Sequence, residues 1–284
     1  MPASTVIKLI AKRTDRLPAT NGKLIHSAFL KMIEHIDPET SALLHENRPY
    51  KPFTISPLIG DFRKAGKWIS VRGGNEYWFR VTTLADELHQ YWIQSLIRSR
   101  LTIHLARVPF LLSEVLMTPH KATPWAIYQP YHKLWEQAEN ASTFILKFES
   151  PTLIKRGSRW IDHPDSARAL LLNVAKKWNI FARNLPPIDL DTFAGRLDAA
   201  VTLHAQVQTA ALQYKGLLTG FQGICTVTTT ETDPEFRHRL NLMGNYAFFT
   251  GIGAKTTQGM GQVRRIPEIP PNENSERINQ CPKK

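Results

Sequence analysis

The chain has 284 residues, of which 42% are apolar and 21% are charged, a composition that excludes disordered, collagen-like and coiled-coil proteins. Its apolar runs are far shorter than the roughly 18 residues that a membrane helix needs, and no export signal opens the sequence, so we expect a cytoplasmic protein without membrane association. Two cysteines, Cys225 and Cys281, exclude a disulfide framework. The net charge of +12 favours a polyanionic partner such as nucleic acid.

The first 105 residues predict one compact series of elements. Alternating apolar residues predict strands, and apolar residues at helical spacing predict helices. In chain order these are a strand at 7–11, a helix at 24–36 that stops at Pro38, strands at 53–56 and 77–82, a helix at 84–96 and a strand at 101–105. The order β-α-β-β-α-β is that of a ferredoxin-like domain.

The second half repeats this order after a connecting region. Residues 109–141 contain four prolines and no sustained periodicity. Beyond them we predict strands at 144–148, 201–207, 221–228 and 263–266, and helices at 167–178, 191–200 and 234–247. Asp233-Pro234-Glu235 is a strong helix start, with a capping carboxylate and a proline in the first turn. We therefore predict an α+β protein of two tandem ferredoxin-like domains, at 1–115 and 142–267, joined by 116–141 and followed by a mobile tail at 268–284.

A glycine-rich loop lies between the last helix and the last strand. Its glycines are Gly251, Gly253, Gly259 and Gly261. The loop is not a P-loop, because Ala254 precedes Lys255, and it lacks the third glycine and the preceding strand of a dinucleotide-binding fingerprint. Its backbone amides remain able to approach a phosphate, with Lys255, Thr256 and Gln258 as further donors. A tight turn that needs glycine only for packing is an equally open interpretation.

Two histidines are candidates for proton transfer. His45 lies in a polar, proline-containing segment between the first helix and the second strand, close in sequence to Arg48 and Lys51. A loop imidazole titrates near neutral pH, and nearby cations offset charge on a phosphate. His26 flanks the apolar stripe of the first helix and either faces the same loop or is a boundary residue. A surface histidine without a role is the alternative for His45. No histidine or cysteine spacing typical of metal sites occurs, so we expect no metal and no cofactor.

Four blocks of the sequence resemble one family. The Gly251–Gly261 loop resembles that of the RAMP-superfamily CRISPR-associated proteins. Leu44-His45-Glu46, followed by Lys51-Pro52-Phe53-Thr54, resembles the active-site loop of the CRISPR precursor-RNA endoribonucleases, the sixth Cas family. Glu149-Ser150-Pro151-Thr152 and Gly220-Phe221-Gln222-Gly223 are similar to further segments of that family. The resemblance covers roughly residues 5–266.

The resemblance implies a fold, a reaction and a set of site residues. The fold is two tandem ferredoxin-like domains, and the reaction is a metal-independent cut within CRISPR repeats that leaves a 2′,3′-cyclic phosphate and a 5′-hydroxyl. His45 corresponds to the catalytic histidine, Lys51 to an assisting lysine and His26 to a basic helper. Some relatives carry a tyrosine in the first helix, and the matching position here is Leu30, so that role is vacant.

The expected partner is CRISPR repeat RNA. Lys155, Arg156 and Arg159 follow a strand in a glycine-containing turn and are predicted to hold the RNA backbone, with a solvated basic hairpin as the alternative. Association with CRISPR effector-complex subunits, and the choice between monomer and homodimer, stay open. The alternative functions are a non-cleaving RAMP-fold RNA-binding subunit and a generic basic nucleic-acid binder.

Overall fold

The helices and strands are those of a computed structural model that describes residues 1–267, except Asn47, 99–101, 120–122, Ser158 and Lys215. The tail predicted at 268–284, and Cys281 with it, lie outside the described residues. The helices are α1 (Gly22–Glu34), α2 (Pro38–His45), α3 (Asp86–Arg98), α4 (Tyr131–Glu136), α5 (Ala167–Phe181), α6 (Leu190–Ala200) and α7 (Pro234–Thr250). The strands are β1 (Ala3–Ala11), β2 (Asp15–Pro18), β3 (Phe53–Ile55), β4 (Ile59–Gly60), β5 (Arg63–Ala65), β6 (Trp68–Val71), β7 (Glu76–Thr83), β8 (Thr102–Leu105), β9 (Val108–Leu116), β10 (Ile127–Tyr128), β11 (Thr143–Thr152), β12 (Ile154–Arg156), β13 (Arg159–Ile161), β14 (Val201–Gln213), β15 (Leu217–Thr229) and β16 (Val263–Ile266).

The N-terminal sheet has the strand order β3-β7-β1-β9-β8, with α1 and α3 packed on one face. In a ferredoxin-like fold the fourth strand lies beside the first, and β9 occupies that place. The predicted strand at 101–105 forms β8, which is only the edge strand paired with β9. The interpretation of residues 109–116 as a connection was wrong. Pro109 lies at the second position of β9, where a proline is tolerated, and Val108 and Phe110 face the core.

The C-terminal sheet has the order β14-β15-β11-β16, which is the ferredoxin-like arrangement of four strands. Helices α5 and α7 cover one face and build a separate hydrophobic core around Trp178. As the sequence predicts, α7 starts at the Asp233 cap, whose side chain accepts a hydrogen bond from the backbone N–H of Glu235 at 3.0 Å. Both predicted domains are therefore ferredoxin-like units, and β14 and β15 extend as a hairpin beyond the predicted strands.

The helix α2 was not predicted. Asp37 accepts hydrogen bonds from the backbone N–H groups of Glu39 at 3.1 Å and Thr40 at 3.4 Å, and Pro38 occupies the first turn. This is the same start signal as Asp233-Pro234-Glu235. Pro38 therefore begins a second helix instead of only ending the first, and α2 packs against α1.

The two domains meet on the polar face of the N-terminal sheet. The apolar side chains of β7 face the N-terminal core, while Arg80 and Thr82 point the other way and are also buried. The Thr82 hydroxyl donates to the carbonyl of Phe249 at 2.7 Å. The end of α7 and the glycine loop are thereby held against the N-terminal domain.

Candidate active site

The glycine loop contacts the first turn of α1 through backbone atoms. A Cβ added to Gly22 would lie 2.0 Å from the carbonyl oxygen of Gln258 and 2.8 Å from the Cα of Gly259. Gly259 has a φ of +90°, and Gly261, with a φ of +70°, would place a Cβ 2.0 Å from the Ile252 carbonyl oxygen. At Gly259 and Gly261 the backbone conformation favours glycine, and at Gly22 and Gly261 the close approach leaves no room for a Cβ.

The first half of the loop is equally tight. Gly251 has a φ of +61°, and a Cβ there would lie 2.9 Å from the carbonyl oxygen of Gly261. Gly253 has a φ of +86°, and a Cβ there would lie 2.4 Å from the carbonyl oxygen of Leu153, the residue that joins β11 to β12. All four predicted glycines therefore have a packing role in the loop. The contact of its backbone amides with a phosphate, which the sequence also suggested, stays a prediction.

His26 is half-buried where the loop meets α1. Its Nδ1 lies 2.8 Å from the carbonyl oxygen of Thr257, and its ring stacks on Phe53 with centroids 5.8 Å apart. Burial lowers the pKa of His26 below its usual value; the hydrogen bond to Thr257 opposes that shift, and the charges of His45 and Lys51 add to it. Burial therefore favours the neutral form of the imidazole. Because a carbonyl only accepts, Nδ1 carries the proton and Nε2 is left as a proton acceptor.

His45 and Lys51 lie at the carboxyl end of α2. His45 is the last residue of this helix and is solvent-exposed, whereas the sequence predicted a loop position for it. The Lys51 ammonium donates to the carbonyl of Leu44 at 2.7 Å and to that of Glu46, and so caps the helix end. Burial is the main cause that lowers the pKa of Lys51, with a further contribution from Arg48. Leu30, at the vacant tyrosine position, is buried in the core.

The predicted donors of the loop have different surroundings. Lys255 is partly buried with its Nζ 5.3 Å from the centre of the Tyr214 ring, and Thr256 is buried with its methyl group packed inside the loop. The side-chain oxygen of Gln258 is buried, and within the described part of the chain it has no hydrogen-bond partner. Sequence reasoning missed Lys23, whose Nζ lies 3.8 Å from the centre of the same Tyr214 ring.

The predicted RNA-binding turn lies beside the glycine loop. Residue 254 of the loop donates its backbone N–H to the carbonyl of Leu153 at 2.7 Å, next to β12. Arg156 forms an ion pair with Asp165 at 2.6 Å, and the Lys155 ammonium lies 6.0 Å from the centre of the Trp160 ring. The side chain of Arg159 lies outside the described residues.

Arg80 joins the two domains behind the site and was also missed by sequence reasoning. Its guanidinium donates to the side-chain oxygen of Gln262 at 2.9 Å, to the Phe248 carbonyl at 2.6 Å and to the Ser4 hydroxyl at 2.6 Å. Burial lowers the pKa of Arg80 to about 9. Gln262 directly follows the last glycine of the loop and also donates to the Ile55 carbonyl at 3.2 Å. This network fixes where the glycine loop sits against the N-terminal domain.

The described part of the chain contains no reactive cysteine, no cluster of metal ligands and no membrane helix. Cys225 is buried, and burial raises its pKa to about 12, so its thiol is unreactive near neutral pH. No group of three or more potential metal-ligating side chains occurs among the described residues. None of the described helices is both long enough and apolar enough to cross a membrane.

Family models match both halves of the chain. The CRISPR Cas6 N-terminal domain matches residues 1–136, and the CRISPR-associated endoribonuclease Cas6 matches residues 146–263. The chain belongs to the Cas6 family. The resemblance seen in the sequence is thereby confirmed, and Cas6 proteins are CRISPR-associated endoribonucleases. No curated protein sequence matches the chain.

Solved Cas6 structures share the fold over almost the whole chain. A Cas6 product complex is 25% identical with a TM-score of 0.79, and the match covers 94% of this chain and all of that one. A Cas6 from Thermus thermophilus is 24% identical with a TM-score of 0.70, covering 94% of this chain and 98% of that one. The product of a Cas6-related gene from Pyrococcus furiosus is 15% identical with a TM-score of 0.64, covering 95% and 100%. The tandem ferredoxin-like architecture is therefore that of Cas6.

Proposed function

We propose that this Cas6 protein cleaves precursor transcripts within CRISPR repeats by attack of a ribose 2′-hydroxyl on the adjacent phosphate. The observation that carries the proposal is the hydrogen bond between His26 and Thr257, which joins residues 231 positions apart, at a point where the charges of His45 and Lys51 act on the same imidazole. His26 thus contacts the glycine loop, and the charges of His45 and Lys51 are near enough to act on its imidazole.

His26 is suited to be the proton acceptor. Its neutral imidazole holds a proton on Nδ1 for Thr257 and presents Nε2 as a base. Transfer of the 2′-hydroxyl proton to Nε2 lets the 2′-oxygen form its bond to phosphorus. The Thr257 carbonyl then stabilises the imidazolium that results, because it keeps its hydrogen bond from Nδ1.

His45 is suited to be the proton donor. As the phosphorus–O5′ bond breaks, the leaving oxygen takes a proton from the His45 imidazolium, which becomes a neutral imidazole, and the products are a 2′,3′-cyclic phosphate and a 5′-hydroxyl. The Lys51 ammonium, held by two carbonyl groups, offsets the negative charge that develops on the phosphorane. All proton transfer and charge stabilisation then come from side chains, so we propose that the reaction needs no metal ion.

The substrate must be RNA, because DNA lacks the 2′-hydroxyl nucleophile. The glycine loop supplies backbone amides and the Lys255 ammonium for phosphates next to the scissile bond. Lys155 extends the cationic surface beyond the loop.

Single-turnover cleavage of a repeat RNA, from an array beside the coding sequence, tests this proposal. Replacing a positioned acid or base lowers the rate by about 10²- to 10⁴-fold, so His45→Ala and His26→Ala should fall in that range. Equilibrium binding should change little, because proton transfer acts only in the transition state. Fragment end chemistry should show the cyclic phosphate.

Two outcomes would contradict the proposal. If His45→Ala cleaves as fast as the parent protein, the active centre lies elsewhere. If the parent binds repeat RNA tightly but leaves it intact, the chain is a non-cleaving RNA-binding subunit, the alternative function.

A further inference from the structure

A small sheet at the edge of the N-terminal domain presents cations and a tryptophan on one face. Its strands β2, β6 and β5 pair so that Ser70 lies between Arg16 and Arg63, and residues in such a row share a face. Trp68 lies on that same face, two residues along β6 from Ser70. On β2 and β6 the opposite face is buried through Leu17, Ile69 and Val71, whereas Lys64 of β5 is exposed there. We call the outer face the basic sheet. It is formed by Arg16, Arg63 and Trp68, together with Lys67 in the turn between β5 and β6.

The fold gives these side chains no structural task. Trp68 is 41% exposed, which is unusual for so large an apolar side chain. Among the residues that the structure describes, Arg16, Arg63 and Lys67 form no ion pair, whereas the neighbouring Arg13 is paired with Asp15 at 3.0 Å. The face therefore carries unneutralised positive charge around an exposed indole.

The basic sheet adjoins the candidate active site. The carbonyl of Lys67 accepts a hydrogen bond from the backbone N–H of Ala19 at 2.9 Å. Gly22, which contacts the glycine loop, follows Ala19 by three residues. Three residues span at most about 11 Å. Lys23, on the next position of α1, continues the cationic surface towards the loop. An RNA strand in the active site is within a few nucleotides of Trp68.

We propose that the basic sheet binds a single-stranded segment of the RNA substrate, with a base stacked on Trp68 and phosphates held by Arg16, Arg63 and Lys67. Cations beside an exposed aromatic ring are what unpaired RNA requires, since bases stack on the ring and the backbone follows the charge. A duplex does not fit, because its bases are stacked on one another. The inference rests on the proposed function and adds a second RNA contact outside the reaction site.

Binding of a 15-nucleotide labelled oligouridylate tests the basic sheet without any cleavage. Loss of one base–aromatic stack weakens binding by about 5- to 150-fold, so Trp68→Ala should raise Kd in that range while Trp68→Phe keeps most of the affinity. Arg63→Ala should reduce the slope of log K against log salt by about 0.7. The matched control is Arg168→Ala, which removes the same charge from an arginine paired with Asp198 and should leave both quantities unchanged.

The inference fails if the parent does not bind oligouridylate, if Trp68→Ala binds it as the parent does, or if Trp68→Phe is as weak as Trp68→Ala. It also fails if Trp68→Ala keeps its RNA affinity but no longer co-elutes with a protein subunit that co-elutes with the parent. Failure of the proposed function gives a different result, namely intact repeat RNA with oligouridylate binding still sensitive to Trp68. The two ideas can therefore be refuted separately.

Discussion

Gly22→Ala adds a single methyl group at the contact between α1 and the glycine loop, and so tests that contact. The new Cβ would lie 2.0 Å from the Gln258 carbonyl oxygen, and the shortest ordinary contact is 3.4 Å, so helix and loop must move apart by about 1.4 Å. The three atoms nearest to the new methyl group all belong to the backbone, so no side chain can rotate away. His26 lies one turn further along the same helix face and moves with it away from Thr257.

The expected result is a large loss of rate with a modest loss of stability. A misplacement of about 1 Å can lower an enzymatic rate by about 10²-fold, so we expect a decrease of that order in single-turnover cleavage. Overpacking of this kind costs about 1–3 kcal/mol, which exceeds the 0.5–1 kcal/mol that alanine gains over glycine in a helix.

The matched control is Gly195→Ala in α6. A Cβ there meets nothing within 4 Å, so this variant should be more stable than the parent by about 0.5–1 kcal/mol and should cleave at the parental rate. Urea unfolding and single-turnover cleavage of both variants give the comparison. Parental cleavage by Gly22→Ala would refute the placement of the active site at this contact.

The remaining predictions concern pH, the domain interface, metal ions and RNA affinity. The pKa of His26 is lower in the folded protein than the ordinary value of 6.5, so its contribution to stability is present above pH 6.5 and is lost as the pH falls through the folded pKa. In urea titrations at several pH values, the unfolding free energy of His26→Asn should therefore decrease less steeply on the acidic side than that of the parent. Arg80→Met leaves the Gln262 and Phe248 oxygens buried without their donor, and should lower the unfolding free energy by about 3 kcal/mol in urea titrations. Cleavage should proceed at the full rate in excess chelator, and a loss that magnesium restores would contradict the proposed chemistry. Lys155→Ala should reduce the salt slope of repeat-RNA binding by about 0.7–0.9, and an unchanged slope would place this residue away from RNA.

The periodicity of the sequence determined most of the elements that build the two domains, but not β9, the fourth strand of the N-terminal unit. Alternating apolar residues on β1, β7 and β11, and helical stripes on α1, α5 and α7, are local patterns, and they were enough to predict two ferredoxin-like units. The Asp233-Pro234-Glu235 start is also local and was identified correctly. The same signal at Asp37-Pro38-Glu39 was overlooked, which is why the helix that ends at His45 was missed although the sequence contains it.

Only the tertiary structure decided how the candidate site is assembled. The contact of His26 with Thr257 and the bonds of Arg80 with Gln262 and Phe248 each join the two domains across more than half of the chain. No periodicity predicts such pairs, because they depend on which faces of two independently folded units pack together. Arg80 lies on β7 opposite the apolar Phe79 and Val81, and it is buried because the C-terminal domain covers that face of the sheet. The sequence thus determined the two domains, while their packing determined which histidine, carbonyl group and glycine meet.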